Sequence, residues 1–97
     1  MRIASGQSGE LRTGYQVAAQ LGPWAIDLAE VMLGDAPGWT CSARIIKTDA
    51  YWLEHGEAFD LRLDVGRVQW RWRNVNVHLT GESVLIRGEA KPELVRV

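Results

Sequence analysis

Between Phe59 and Trp72 the chain alternates strictly, and this run constrains its fold more than any other feature. Phe59, Leu61, Leu63 and Val65 interleave with Asp60, Arg62 and Asp64, then Gly66-Arg67 interrupts, then Val68, Trp70 and Trp72 interleave with Gln69 and Arg71. A period of two is that of a strand with one buried face. A two-residue Gly-X loop suits a tight hairpin turn. Folding about Gly66-Arg67 pairs Val65 with Val68, Leu63 with Trp70 and Leu61 with Trp72, all on one face. A slip of one residue would turn the tryptophans to solvent, so the register is well specified.

The rest of the chain reads outward from this hairpin. After Trp72 the apolar parity changes to Val75, Val77 and Leu79. An extra residue near Arg73-Asn74 accounts for this, as a β-bulge or as another tight turn. The loop Thr80–Ser83 returns the chain and sets Val84 opposite Leu79 and Ile86 opposite Val77. Leu94–Val97 adds a short edge strand.

On the N-terminal side, residues 1–10 (MRIASGQSGE) are small and polar and read as a flexible arm. GQSGE lacks the lysine of a phosphate-binding loop. Leu11, Thr13, Tyr15, Val17, Ala19 and Leu21 share one parity, which predicts a half-buried strand over 11–21. Residues 23–33 (PWAIDLAEVML) have proline where a first helical residue sits and Gly34 just past the end, which favours a helix. The rival reading is a hairpin across Gly22-Pro23. Residues 40–53 read as extended, with bulky neighbours at Ile45-Ile46 and Tyr51-Trp52, and 54–57 as a turn. The expected architecture is mainly β (α+β if residues 23–33 are helical): a small antiparallel sandwich or partly open barrel of about six strands with one short helix, residues 11–97 forming a single domain.

Composition narrows the function. The net charge of −1 argues against a surface that attracts nucleic acid or anionic lipid everywhere. Residues 67–97 nevertheless carry six basic and three acidic groups, against five and nine in residues 1–66. Arg67, Arg71, Arg73 and Arg87 are the candidate nucleic-acid contacts if the sheet curls to bring them together. The run Trp70-Arg71-Trp72-Arg73 resembles a stacking platform for single strands. Period two separates its rings from its arginines, however, and puts the tryptophans among leucines as core.

Catalytic chemistry finds little support. One cysteine, Cys41, excludes an internal disulfide and a multi-thiolate zinc site, and it has no histidine nearby in sequence. His55 with Glu54 and Glu57 is a weak metal pattern, and the solvated turn is the plainer reading. The pairs Asp27/Glu30 and Asp60/Asp64 lack the contrast of environments that acid–base work requires. No catalytic residue, metal ligand or cofactor is expected. No apolar run approaches the roughly 20 residues that span a bilayer, and no secretion signal is visible. The expectation is a cytoplasmic protein, or one carried in a particle.

The apolar side chains exceed what one face of each strand can bury. Tyr51, Trp52 and Leu85 are the candidate protein-interface residues, and other protein subunits, identical or different, are the expected partners. The run Glu57–Gly88, with its hairpins and the closing IRGEAKP, is superficially similar to small structural proteins of tailed-phage particles, although it holds no motif specific to them. That similarity implies a virion component of the head–tail or baseplate type that assembles as an oligomer. A small phage-type inhibitor docking on a host complex has the same composition.

Overall fold

A computed structural model describes residues 1–28, 38–88 and 90–97. The described residues form eight strands and one helix, in order β1 Arg2–Gly6, β2 Ser8–Thr13, β3 Gln16–Leu28, β4 Trp39–Thr48, α1 Ala50–His55, β5 Phe59–Val65, β6 Val68–Thr80, β7 Ser83–Gly88 and β8 Glu93–Arg96. All pairings are antiparallel. The order β3-β2-β5-β6-β7-β4 closes on itself through β3–β4 pairing, giving a six-stranded barrel to which β1 and β8 are added. Closure pairs each barrel strand on both sides, while the overhanging stretches of β3 and β6 are covered by β1 and β8.

The central hairpin has the register its sequence dictates: Val65 faces Val68, Leu63 faces Trp70 and Leu61 faces Trp72. Leu61, Leu63 and Trp72 are buried. Val77 faces Ile86 and Leu79 faces Val84, and β8 forms the short edge strand. The change of parity after Trp72 is a bulge, with Asn74 in the left-handed region (φ 52°) and its N–H donating to Asp60 Oδ1 at 3.2 Å. Asparagine tolerates this conformation better than most residues.

The N-terminal third corrects three expectations. Residues 2–6 and 8–13, read in large part as an arm, are strands β1 and β2, because β3 supplies the ladder partners that a local reading cannot see. The run 11–21 is not one strand. Gly14-Tyr15 turns the chain, with Gly14 at φ 60°, and Tyr15 is 95% exposed. A bulge between Leu11 and Arg12 pairs Leu11 with Ala19 and Gly9 with Leu21. Beyond the bulge Leu11, Ala19 and Leu21 share the inner face, which imitates one alternating strand, whereas on the turn side Val17 lies across from Arg12 and the even-numbered Ala18 is buried.

Residues 23–28 belong to β3, and residues 29–33 of the expected helix lie outside those described. The chain neither coils nor reverses at Gly22-Pro23. The β3–β4 register shifts there, and Pro23 lies exposed at the irregularity. Beyond it both edges of β3 are occupied, by β1 and by β4, and Asp27 meets Arg2 across the ladder at 3.0 Å. Over residues 23–28 long-range pairing outweighs the helix propensity of Ala25 and Leu28, which is worth only tenths of a kcal/mol per residue.

Among the described residues the helix is α1. Asp49 caps it, its Oδ1 accepting from the N–H groups of Tyr51 (3.1 Å) and Trp52 (3.5 Å), and Gly56 closes it by donating to the Trp52 carbonyl at 2.9 Å. The bulky pair Tyr51-Trp52 thus sits on a helical turn and not on an extended run. The core is Leu11, Leu21, Trp24, Ile26, Trp39, Cys41, Leu61, Leu63, Trp72, Val75, Val84 and Ile86, with no buried charged residue among those described.

Candidate interaction groove

Where β4 runs past the barrel, successive side chains point to opposite sides, so Ile45 turns inward and Ile46 outward. Ile46 lies over Gly22, where a β-carbon would stand 3.2 Å from its Cδ1. The chain then enters α1, whose Leu53 packs against the core from outside. The β6–β7 turn closes the third side, with Leu79 at its base and Gly81-Glu82 at its tip. These three elements enclose an open groove of about 990 Å³, lined by Ile45, Ile46, Leu53 and Leu79 together with Pro23 and Ala50. Ile46 is 67% exposed and Leu79 48%. The charged residues of the rim are Glu54 and the ion pair Arg44–Glu82, at 3.8 Å with both side chains mostly exposed. Such a surface pair stabilises by at most about 1 kcal/mol.

Of the residues expected at an interface, Tyr51 and Trp52 are brought together on α1 and Leu85 stands apart from them. Tyr51 and Trp52 stand on α1, their rings 5.0 Å apart and perpendicular, with His55 4.6 Å from Tyr51. Tyr51 is exposed and Trp52 half-buried, and the groove is lined by their helix neighbours Ala50, Leu53 and Glu54. Leu85 is on the outer face of β7 between Ser42 and His78, in a separate shallow depression. Leu53 and Leu79 are the groove residues that the sequence does not single out; of the adjacent pair Ile45-Ile46, one of which has to face away from the core, Ile46 is the outward member.

The arginines fare differently. Arg67 occupies the β5–β6 turn, Arg71 and Arg73 follow on β6, and Arg87 is on β7 opposite Asn76 and Thr40. Across the sheet the row through Arg71 reads Glu10, Arg62, Arg71, Glu93. Arg71 Nε donates to Gln69 Oε1 at 2.8 Å. In this row acidic residues border the two adjacent arginines on either side. Trp72 belongs to the core and Trp70 packs half-buried against it.

No protein-family model, curated protein or solved structure matches this chain.

The remaining candidates for chemistry are placed as follows. Cys41 is fully buried, and desolvation pushes its thiol up to about 12, so at neutral pH it stays protonated and unreactive. His55 sits in the last turn of α1, and among the described residues no three His, Cys, Asp or Glu side chains converge as a metal site. No helix among the described residues is long and apolar enough to cross a membrane.

Proposed function

We propose that this chain is a non-catalytic protein–protein interaction or assembly module that receives a partner in the groove between β4, α1 and the β6–β7 turn. The observation that carries the reading is the exposure of Ile46 and Leu79 on the walls of one groove. Apolar surface left in water forgoes roughly 25 cal/mol per Å², and grouped apolar side chains with a polar rim are what protein interfaces present. The partner is another protein subunit, identical or different. A structural role in a phage-like particle, in the cytoplasm or assembled, is the finer form of this reading, supported by the sequence similarity of Glu57–Gly88.

The test is molar mass by light scattering over a wide concentration range, followed by capture from the native host, with wild type and Ile46→Glu compared throughout. The expected result is a defined multimer that the substitution dissolves, or a protein captured by the wild type and lost by the variant. A wild type that stays monomeric and captures the same proteins as Ile46→Glu overturns the proposal, as does salt-dependent retention on nucleic acid that Ile46→Glu leaves unchanged.

A further inference from the structure

β7 and β8 are two segments of one ladder along the same edge of β6. β7 pairs with Asn76–Thr80, and β8, after a four-residue link, pairs with Val68–Arg71. The two segments are held very differently. β7 is locked between β6 and β4, and its Val84 and Ile86 are buried. β8 packs principally on β6, and none of its four residues is buried. The link is tied down by Trp72, whose Nε1 donates to the Ala90 carbonyl at 2.7 Å. Pro92, at the end of the link, has a fixed φ and no N–H to add to the ladder.

Release of β8 would open four residues of the β6 edge, including the half-buried Trp70 and the backbone groups that now pair with β8. An edge of that kind selects an extended strand. The occupant this edge is seen to accept is the β8 sequence itself, with Glu93 across from Arg71 and Leu94 across from Trp70. From this we infer that β8 is an exchangeable strand: at high concentration two copies trade it, each β8 pairing with the partner's β6. The exchange preserves every ladder bond and the Glu93–Arg71 juxtaposition, so its net cost is confined to the link and to association. It is independent of the groove, since no residue of β8 lines it.

Gln69 and Val95 face each other across the β6–β8 ladder, at the roughly 4.5–5.5 Å Cα separation of directly opposed antiparallel residues, which a disulfide can span. The experiment mixes two single variants, Gln69→Cys and Val95→Cys, at high concentration, incubates them, oxidises them and separates the products without reductant. A bridge between the two introduced thiols, one on each chain, requires the β8 of one copy to reach the β6 of the other. The expected result is a covalent heterodimer in several-fold excess over either homodimer, falling on dilution before oxidation and unaffected by Ile46→Glu. Heterodimer at no more than about the twofold excess over either homodimer that random pairing of equimolar thiols gives would overturn the inference. Excess lost with Ile46→Glu would also overturn it, by assigning the contact to the groove.

Discussion

The indole of Trp72 lies against Gly88, so close that a β-carbon on residue 88 would fall inside the ring's contact distance, and its N–H reaches on to the carbonyl of Ala90 two residues later. Trp24 repeats the arrangement with Gly6 and the carbonyl of Ser8, at 2.7 Å. Each tryptophan stands on one of the two 13-residue strands, β3 and β6. Each faces the point where the neighbouring ladder is broken, between β1 and β2 or between β7 and β8. The rings fill the space that a missing side chain leaves, and the N–H groups satisfy carbonyls at the breaks.

Two substitutions separate these contributions. Gly88→Ala should destabilise by about 1–3 kcal/mol through overpacking against the Trp72 ring. Trp72→Phe should cost at least about 1 kcal/mol, by leaving the Ala90 carbonyl without its donor and part of the ring's volume empty. Urea denaturation measures both. A Gly88→Ala midpoint equal to that of wild type would show that the ring has room to move.

The helix α1 depends on one side chain. Asp49→Ala removes the acceptor of two backbone N–H groups and should cost about 1 kcal/mol, against a few tenths for Asp49→Asn or Asp49→Ser. Since α1 has no buried residue, the loss should appear first as faster amide exchange at Leu53 and Gly56, whose N–H groups donate to Asp49 and Trp52 carbonyls.

Cys41 predicts an alkaline dependence. Its thiol pKa is raised by desolvation from the ordinary 9.0 to about 12. The unfolded chain therefore releases this proton first, and the folded state binds more protons between those two values. Stability must fall as pH rises through that window, by up to about 4 kcal/mol once both states are ionised. Below about pH 8, where the thiol is protonated in both states, the group contributes almost no slope. Stability measured against pH from about 8 to about 11 should decline less steeply for Cys41→Ala than for wild type, whatever the variant's offset at neutral pH. Equal slopes would mean that the thiol is hydrated.

Asn74 is the one non-glycine residue at positive φ among those described. Asn74→Gly should be close to neutral, while Asn74→Ala should lose about 1 kcal/mol by strain in the left-handed region. Thermal melts of the two variants, compared with wild type, give the order directly.

Much of the barrel was legible along the chain, and the reason is local. In β5–β6–β7 the alternation, the two-residue glycine turns and the parity change at Arg73-Asn74 each involve residues close in sequence, and their register follows from which face must be buried. Even there the sequence left open whether the parity change marked a bulge or a turn. Positive φ at Asn74, held by Asp60, decides for the bulge.

The N-terminal third shows what sequence alone left undecided. Gly22-Pro23 with the following Ala, Leu and Glu is a sound helix start by propensity, yet residues 23–28 are extended, because β1 and β4 fill both edges of β3 and bury Trp24 and Ile26. The bulge at Leu11/Arg12 hid a hairpin by restoring parity across it. The groove was equally hidden. That one of Ile45 and Ile46 must face outward follows from strand geometry. That Ile46, Leu53 and Leu79, from three separate elements, share one open surface follows only from closure of the barrel, which sets the end of β4, α1 and the β6–β7 turn side by side. Periodicity fixes which face of a strand is apolar, and long-range pairing alone decides what that face meets.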